Sequence, residues 1–194
     1  MHTGRPYLRD PARSTDLCAA GQVWDTRPVR IRREQPSDRP DVLRVVHEAF
    51  ESGPDEPGEV ALTRALFDDP GYIPEFSLVA VVSGDVAGCV IGTRGYIGDT
   101  PAVGIAPLAV VRAHQRRGVG SALMWALIGA AQARDDTALV LLGENAYYER
   151  FDFAPASRNG IEAPVASWGQ HFQALVLTDD PVAGRFRYAA AFGL

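Results

Sequence analysis

From residue 29 onward the chain carries a regular pattern of apolar and polar positions, and before it there is none. Residues 1–27 mix Pro, Arg, Asp and Thr without periodicity and read as a flexible leader, with Trp24 a candidate anchor at its end. Val29-Arg30-Ile31-Arg32 alternates as a short strand does. Pro36-Ser37-Asp38 supplies helix-start chemistry, and Val42, Leu43, Val45, Val46, Ala49 and Phe50 then recur at helical spacing. An acidic Gly/Pro-rich loop over 51–59 leads to a second helix over 60–67, which ends before Asp69-Pro70-Gly71. The runs 77–82 and 86–93 predict strands split by the hairpin signal Ser83-Gly84-Asp85, and 102–111 predicts a third. A helix over 118–134, a buried strand over 137–142 and a turn of helix over 146–150 follow, with closing strands over 172–177 and 185–188. This order, without internal repeats, is a mixed α+β one, and residues 28–194 read as one domain.

The length of 194 residues, with 46% apolar and 22% charged positions, fits a single globular core. The longest nearly uncharged stretch, 118–133, has 16 residues between two arginines. A bilayer span needs roughly 18 to 20, so no membrane partner is expected. All 19 basic residues are arginine. That excludes a Walker A lysine, Schiff-base chemistry and a lysine general base, although a GC-rich coding sequence alone accounts for the bias. Residues 1–33 hold seven arginines against three aspartates, a balance of +4, which leaves the remainder at −9 of the total −5. An acidic body argues against a nucleic-acid partner and favours cationic small molecules or basic peptides. Cys18 and Cys89 have no metal-ligand spacing, and neither a structural disulfide nor a metal site is expected. No apolar core of a secretory signal lies in residues 1–33, which points to a cytoplasmic protein.

The most informative segment runs from Leu108 to Leu123: an apolar strand, a turn with Arg112, Gln115, Arg116, Arg117, Gly118 and Gly120, then directly a helix. Helix N-termini expose unpaired N–H groups and a partial positive charge, and glycine lets a phosphate approach the backbone. A dinucleotide fingerprint would need a third glycine where Leu123 stands. A glycine-rich turn without a ligand remains the plain alternative.

The spacing Gln115-x-x-Gly118-x-Gly120 resembles the pyrophosphate loop of the GNAT superfamily of acetyl-CoA-dependent N-acetyltransferases. The run Asn145-Ala146-Tyr147-Tyr148-Glu149-Arg150-Phe151-Asp152-Phe153 is similar to that family's second signature, with Asp152 where glycine is usual. The opening over 29–50 resembles the family's first strand and helix, and the tail over 184–192 resembles its bacterial YhbS-like subgroup. The resemblance implies a GNAT fold, a mixed and mostly antiparallel central sheet flanked by helices and splayed between its fourth and fifth strands. It also implies that residues 28–194 form an acetyl-CoA-dependent N-acetyltransferase domain. The pantetheine arm would lie in the splay beside Leu108, Ala109 and Val110. The turn of Gln115, Arg116, Arg117, Gly118, Val119, Gly120 and Ser121 would hold the pyrophosphate.

In that frame a small-molecule or peptide amine attacks the thioester directly, and an N–H near Val110 polarises its carbonyl. Tyr148 matches the tyrosine that protonates the departing thiolate, or packs under the cofactor. Asn145 matches a cofactor-contacting position, or caps the helix. The strand over 103–111 has no carboxylate, so Glu144 is the nearest candidate base, or else a solvated strand-end charge. His114 reads as a cofactor contact or surface residue, His47 as packing or surface, and Tyr147 as packing. The four carboxylates of 51–59 border the expected acceptor region and would attract a cation, or form a solvated loop. Met124, Trp125 and Ile128 form a second apolar stripe that a neighbouring core element, a homodimer contact or the leader would cover. A catalytically silent acyl-CoA-binding regulatory module on the same fold is the alternative to an enzyme. A transferase acting on charged tRNA would need a basic surface, which the acidic body opposes.

Overall fold

The computed structural model describes residues 28–194; the leader assigned to 1–27, with Trp24 and Cys18, lies outside the described residues. Strand β1 (Arg30–Arg33) pairs antiparallel with β2 (Tyr72–Val82), β2 with β3 (Asp85–Ile97), and β3 with β4 (Thr100–Val110). Ser83 and Gly84 take φ of 56° and 99°, the left-handed geometry that a two-residue hairpin turn requires. The predicted β2–β3 hairpin is therefore realised, with both strands longer than their apolar runs indicate.

β4 meets β5 (Ala138–Leu142) in parallel through Val103 opposite Leu139 and Gly104 opposite Val140 alone. Beyond Gly104 the two strands part, and β5 continues antiparallel to β8 (Phe172–Val176). The expected splay between the fourth and fifth strands is thus present. A bulge marks the same place: Val90 opposes Leu108 and Gly92 opposes Ile105, so Ala106 and Pro107 together face Ile91. An extra residue bends the bulged strand, here where it leaves β5.

Three short strands complete the sheet. β6 (Ala154–Pro155) pairs with β8, while β7 (Ile161–Glu162) lies parallel to β9 (Gly184–Arg187), which joins the end of β3. Two-residue strands carry no readable periodicity, which is why β6 and β7 are absent from the expected order.

Helices α1 (Arg39–Phe50) and α2 (Gly58–Leu66) cover one face of the sheet and α3 (Val119–Gln132) the other. Val79, Cys89 and Ile91 face the first pair, and Leu78, Ala80 and Val90 face α3. With both faces covered, these strands read as continuous apolar runs. α3 presents Met124 and Ile128 to the core at 0% and 3% exposure, packed with the sheet and Phe151. The core thus covers Met124 and Ile128 of the second stripe, while Trp125 is exposed, its ring edge-on to Phe151 at 5.1 Å. Among the described residues no helix is long and apolar enough to cross a membrane.

Candidate active site

The site grows from the point where β4 leaves β5. Val111 N–H donates to the Ala87 carbonyl across the β3 side, at 3.0 Å. Backbone groups alternate sides along a strand, so the N–H and C=O of Val110 point into the splay. Gln115 Nε2 fills the Val110 carbonyl at 2.9 Å and ties the following turn to the strand end.

That turn is unusual backbone for its residue types. Arg116 has φ of 57° and Gly118 of 84°, both left-handed. α3 then starts with no side-chain cap, and its first bond runs from Ala122 N–H to Gly118 O at 2.9 Å. The N–H groups of Val119, Gly120 and Ser121 precede that ladder and so lack intrahelical acceptors. Gly120 answers to a different constraint: a Cβ there would stand 2.7 Å from the Tyr147 hydroxyl. Tyr147 in turn hydrogen-bonds Ser121, and burial raises its pKa.

Across the splay, β5 runs out into Gly143, whose N–H donates to His171 O at 2.9 Å and whose carbonyl accepts from Gln173 Nε2 at 2.9 Å. The short helix α4 (Asn145–Tyr148) folds the Tyr148 ring back over Gly143. Tyr148 meets Tyr147 edge-on at 4.9 Å and Phe153 at 6.0 Å. Burial, with Tyr147 beside it, pushes the Tyr148 phenol up to about 12. The phenol therefore keeps its proton at neutral pH and is a donor.

A cavity of about 700 Å³ fills the wedge. Leu108, Val110, Gln115, Arg116, Gly120, Glu144 and Tyr148 all line it, so the sequence brings these distant candidates together. Other candidates stand elsewhere. The Ala109 side chain belongs to the α1 face and Val119 to the core, which leaves their backbones as contributors. Gly118 and Arg117 lie on the exposed outer side of the turn, and Ser121 reaches Tyr147. Asn145 neither lines the cavity nor caps α4: Glu144 is the cap residue, while Asn145 Nδ2 donates to Gln170 O at 3.2 Å.

Two readings of charge change. Arg112 is held away from the turn by Glu51 at 3.5 Å, and its N–H donates to Glu48 at 2.9 Å. Of the four carboxylates in 51–59, Glu59 alone lines the cavity; Glu51 pairs with Arg112, and Glu56 with Arg64 at 3.6 Å. Asp55 is exposed outside it. His114 and His47 are not in the lining. Sequence reasoning missed Phe50, Leu62, Trp168, Tyr188, Phe192 and Leu194, which close the other end.

A sheet split after its fourth strand, with a glycine turn and an uncapped helix beside the split, is the arrangement that the sequence resemblance implies. The sequence pattern of the acetyltransferase (GNAT) family matches residues 40–153, more than half of the chain, and the chain belongs to that family. It is 29% identical over 163 residues to the uncharacterized N-acetyltransferase YhbS of Escherichia coli (strain K12), across 79% of this chain and 90% of YhbS. The crystal structure of Escherichia coli YhbS in complex with CoA aligns with a TM-score of 0.77 at 28% identity, covering 90% of this chain and 97% of that one. A GNAT family acetyltransferase from Brucella melitensis in complex with acetyl-CoA aligns with a TM-score of 0.70 at 27% identity, covering 86% and 99%.

Proposed function

We propose that the protein is an N-acetyltransferase that moves the acetyl group of acetyl-CoA to a primary amine by direct attack in a ternary complex. The observation that carries this reading is the wedge, which sets an open strand edge, three N–H groups of an uncapped helix start and a protonated buried phenol around one cavity. Similar structures hold CoA and acetyl-CoA, and the residues here fit such a group.

The N–H groups of Val119, Gly120 and Ser121 would receive the pyrophosphate, with Arg116 and Arg117 adding charge from the turn. The free edge of β4 at Leu108 and Val110, with the backbone of Ala109 between them, would pair with the extended pantetheine arm. Acetyl-CoA supplies a thioester that is already activated, so holding the amine against it provides much of the acceleration. The Val110 N–H, aimed into the splay, would stabilise negative charge on the carbonyl oxygen. Tyr148, which is protonated at neutral pH, would hand its proton to the departing thiolate. Glu144, or Glu59 across the cavity, would take the proton of the attacking ammonium.

Thiol release from acetyl-CoA over a panel of primary amines tests these roles. Tyr148→Phe is expected to lower kcat by about a hundredfold with acetyl-CoA binding retained. Undiminished release in that variant would remove Tyr148 as the acid. The lack of a carboxylate on β4 favours a second reading, a silent acetyl-CoA-binding module. Binding without release on any amine would select it.

A further inference from the structure

The cavity has two chemically different ends. One is built from β4, the glycine turn and the start of α3, and it holds the lining's sole cation among the described residues, Arg116. The other is built from the end of α1, the start of α2, the turn carrying Trp168 and the C-terminal segment. Its wall is aromatic: Trp168 meets Tyr188 at 6.2 Å, and Tyr188 meets Phe192 at 4.3 Å with the rings 33° apart.

That wall starts at the apex of the splay. A Cβ on Gly104, the last β4 residue paired with β5, would stand 2.8 Å from two Tyr188 ring carbons. The glycine there is what admits the ring. Leu62 and two carboxylates, Glu59 and Glu144, line the same cavity as the rings. Neither carboxylate pairs with an arginine among the described residues, in contrast to Glu51 and Glu56.

We propose that the acceptor is a small monoamine on a compact apolar or aromatic body, its ammonium held by Glu59 and its body seated on Trp168, Tyr188 and Phe192. The inference rests on the acetyl-transfer reading and specifies its acceptor. A single positive charge is met by the two carboxylates of the lining, Glu59 and Glu144. A polyamine would push its further charges against rings and Leu62, where a buried charge without a partner is costly. The apolar wall would instead bury a hydrocarbon body.

The test is calorimetric titration of phenethylamine and of putrescine into the full chain saturated with CoA. Phenethylamine is expected to bind at least about tenfold more tightly. Glu59→Gln should weaken it about tenfold, and Trp168→Ala should weaken phenethylamine while leaving putrescine unaltered. Equal or tighter binding of putrescine, binding of neither amine, or no effect of Glu59→Gln would each overturn the proposal. So would a short peptide with an apolar N-terminal residue that binds where phenethylamine does not. The wild-type comparison holds even if the Trp168 variant fails to fold. Thiol release from acetyl-CoA, followed separately, keeps the two readings apart. Phenethylamine binding without release upholds the pocket and contradicts transfer; release with putrescine and not phenethylamine upholds transfer and overturns the pocket.

Discussion

The Tyr148 ring lies across the backbone of Gly143, so that a Cβ on that glycine would stand 2.9 Å from the ring's Cδ2. Gly143 cannot yield, because the His171 carbonyl, just before β8, holds its N–H and Gln173 of β8 holds its carbonyl. The position of the phenol is thus set by the end of β5. Gly143→Ala should swing the ring out of the cavity and cost about 1–3 kcal/mol of stability by overpacking. A shift of about 1 Å at a reacting group costs on the order of a hundredfold in rate, so kcat should fall with acetyl-CoA affinity largely kept. Steady-state kinetics beside a thermal melt checks this, and an unchanged kcat would detach Tyr148 from the chemistry.

The two glycines of the turn make different predictions. Gly118 has open space where a Cβ would stand but a φ of 84°, so Gly118→Ala costs conformation only, about 1–2 kcal/mol. Gly120 has ordinary helical backbone and fails by contact with Tyr147. Gly120→Ala should displace Tyr147, and adding Tyr147→Phe, which removes the clashing hydroxyl, should restore much of the lost acetyl-CoA affinity. Calorimetry on the single and double variants checks it; additive losses would contradict the contact account.

Three partly buried phenols tie stability to alkaline pH. Tyr72 and Tyr148 are each pushed up to about 12 by burial, Tyr72 with help from Glu34, and burial raises Tyr188 as well. The folded chain then keeps protons that the unfolded chain releases above about pH 10. Stability from this source is complete below that point and is lost as pH rises towards 12. Urea midpoints should therefore hold steady up to about pH 10 and drop beyond it, less steeply in Tyr148→Phe. A midpoint indifferent to this range would contradict the burial of these groups.

Asp152 caps the turn after α4 with φ of 65°, in the left-handed region, although it is not glycine. The usual turn is therefore kept despite the substitution in the second signature. Asp152→Gly should raise stability by roughly 0.5–1 kcal/mol, seen as a higher Tm with unchanged kcat. A lower Tm would show that the Asp152 side chain contributes more than the strain costs.

The sequence made the wedge legible because its parts are local. The apolar run before Gln115, the glycines at 118 and 120 and the Tyr147-Tyr148 pair each lie within a few residues of the elements they define. What it hid depends on long-range placement. Nothing near Gly120 announces that Tyr147 forbids a side chain there. The acidic loop reads as four equivalent carboxylates, yet ion pairs with Arg112 and Arg64 turn two away and the start of α2 aims Glu59 inward. Asn145 resembles a cofactor contact in sequence, but the turn at Gln170 takes its amide. Trp168, Tyr188 and Phe192 look like scattered aromatics until β9 and the C-terminal turn assemble them.

The most direct test of the account follows both products at once: thiol released from acetyl-CoA and the N-acetyl amide seen by mass spectrometry, with and without a primary amine. The account predicts that thiol and amide appear one for one, only when amine is present, and that both fall together in Tyr148→Phe. Acetyl-CoA bound by the protein, with no thiol released above the amine-free control across the panel, would contradict it.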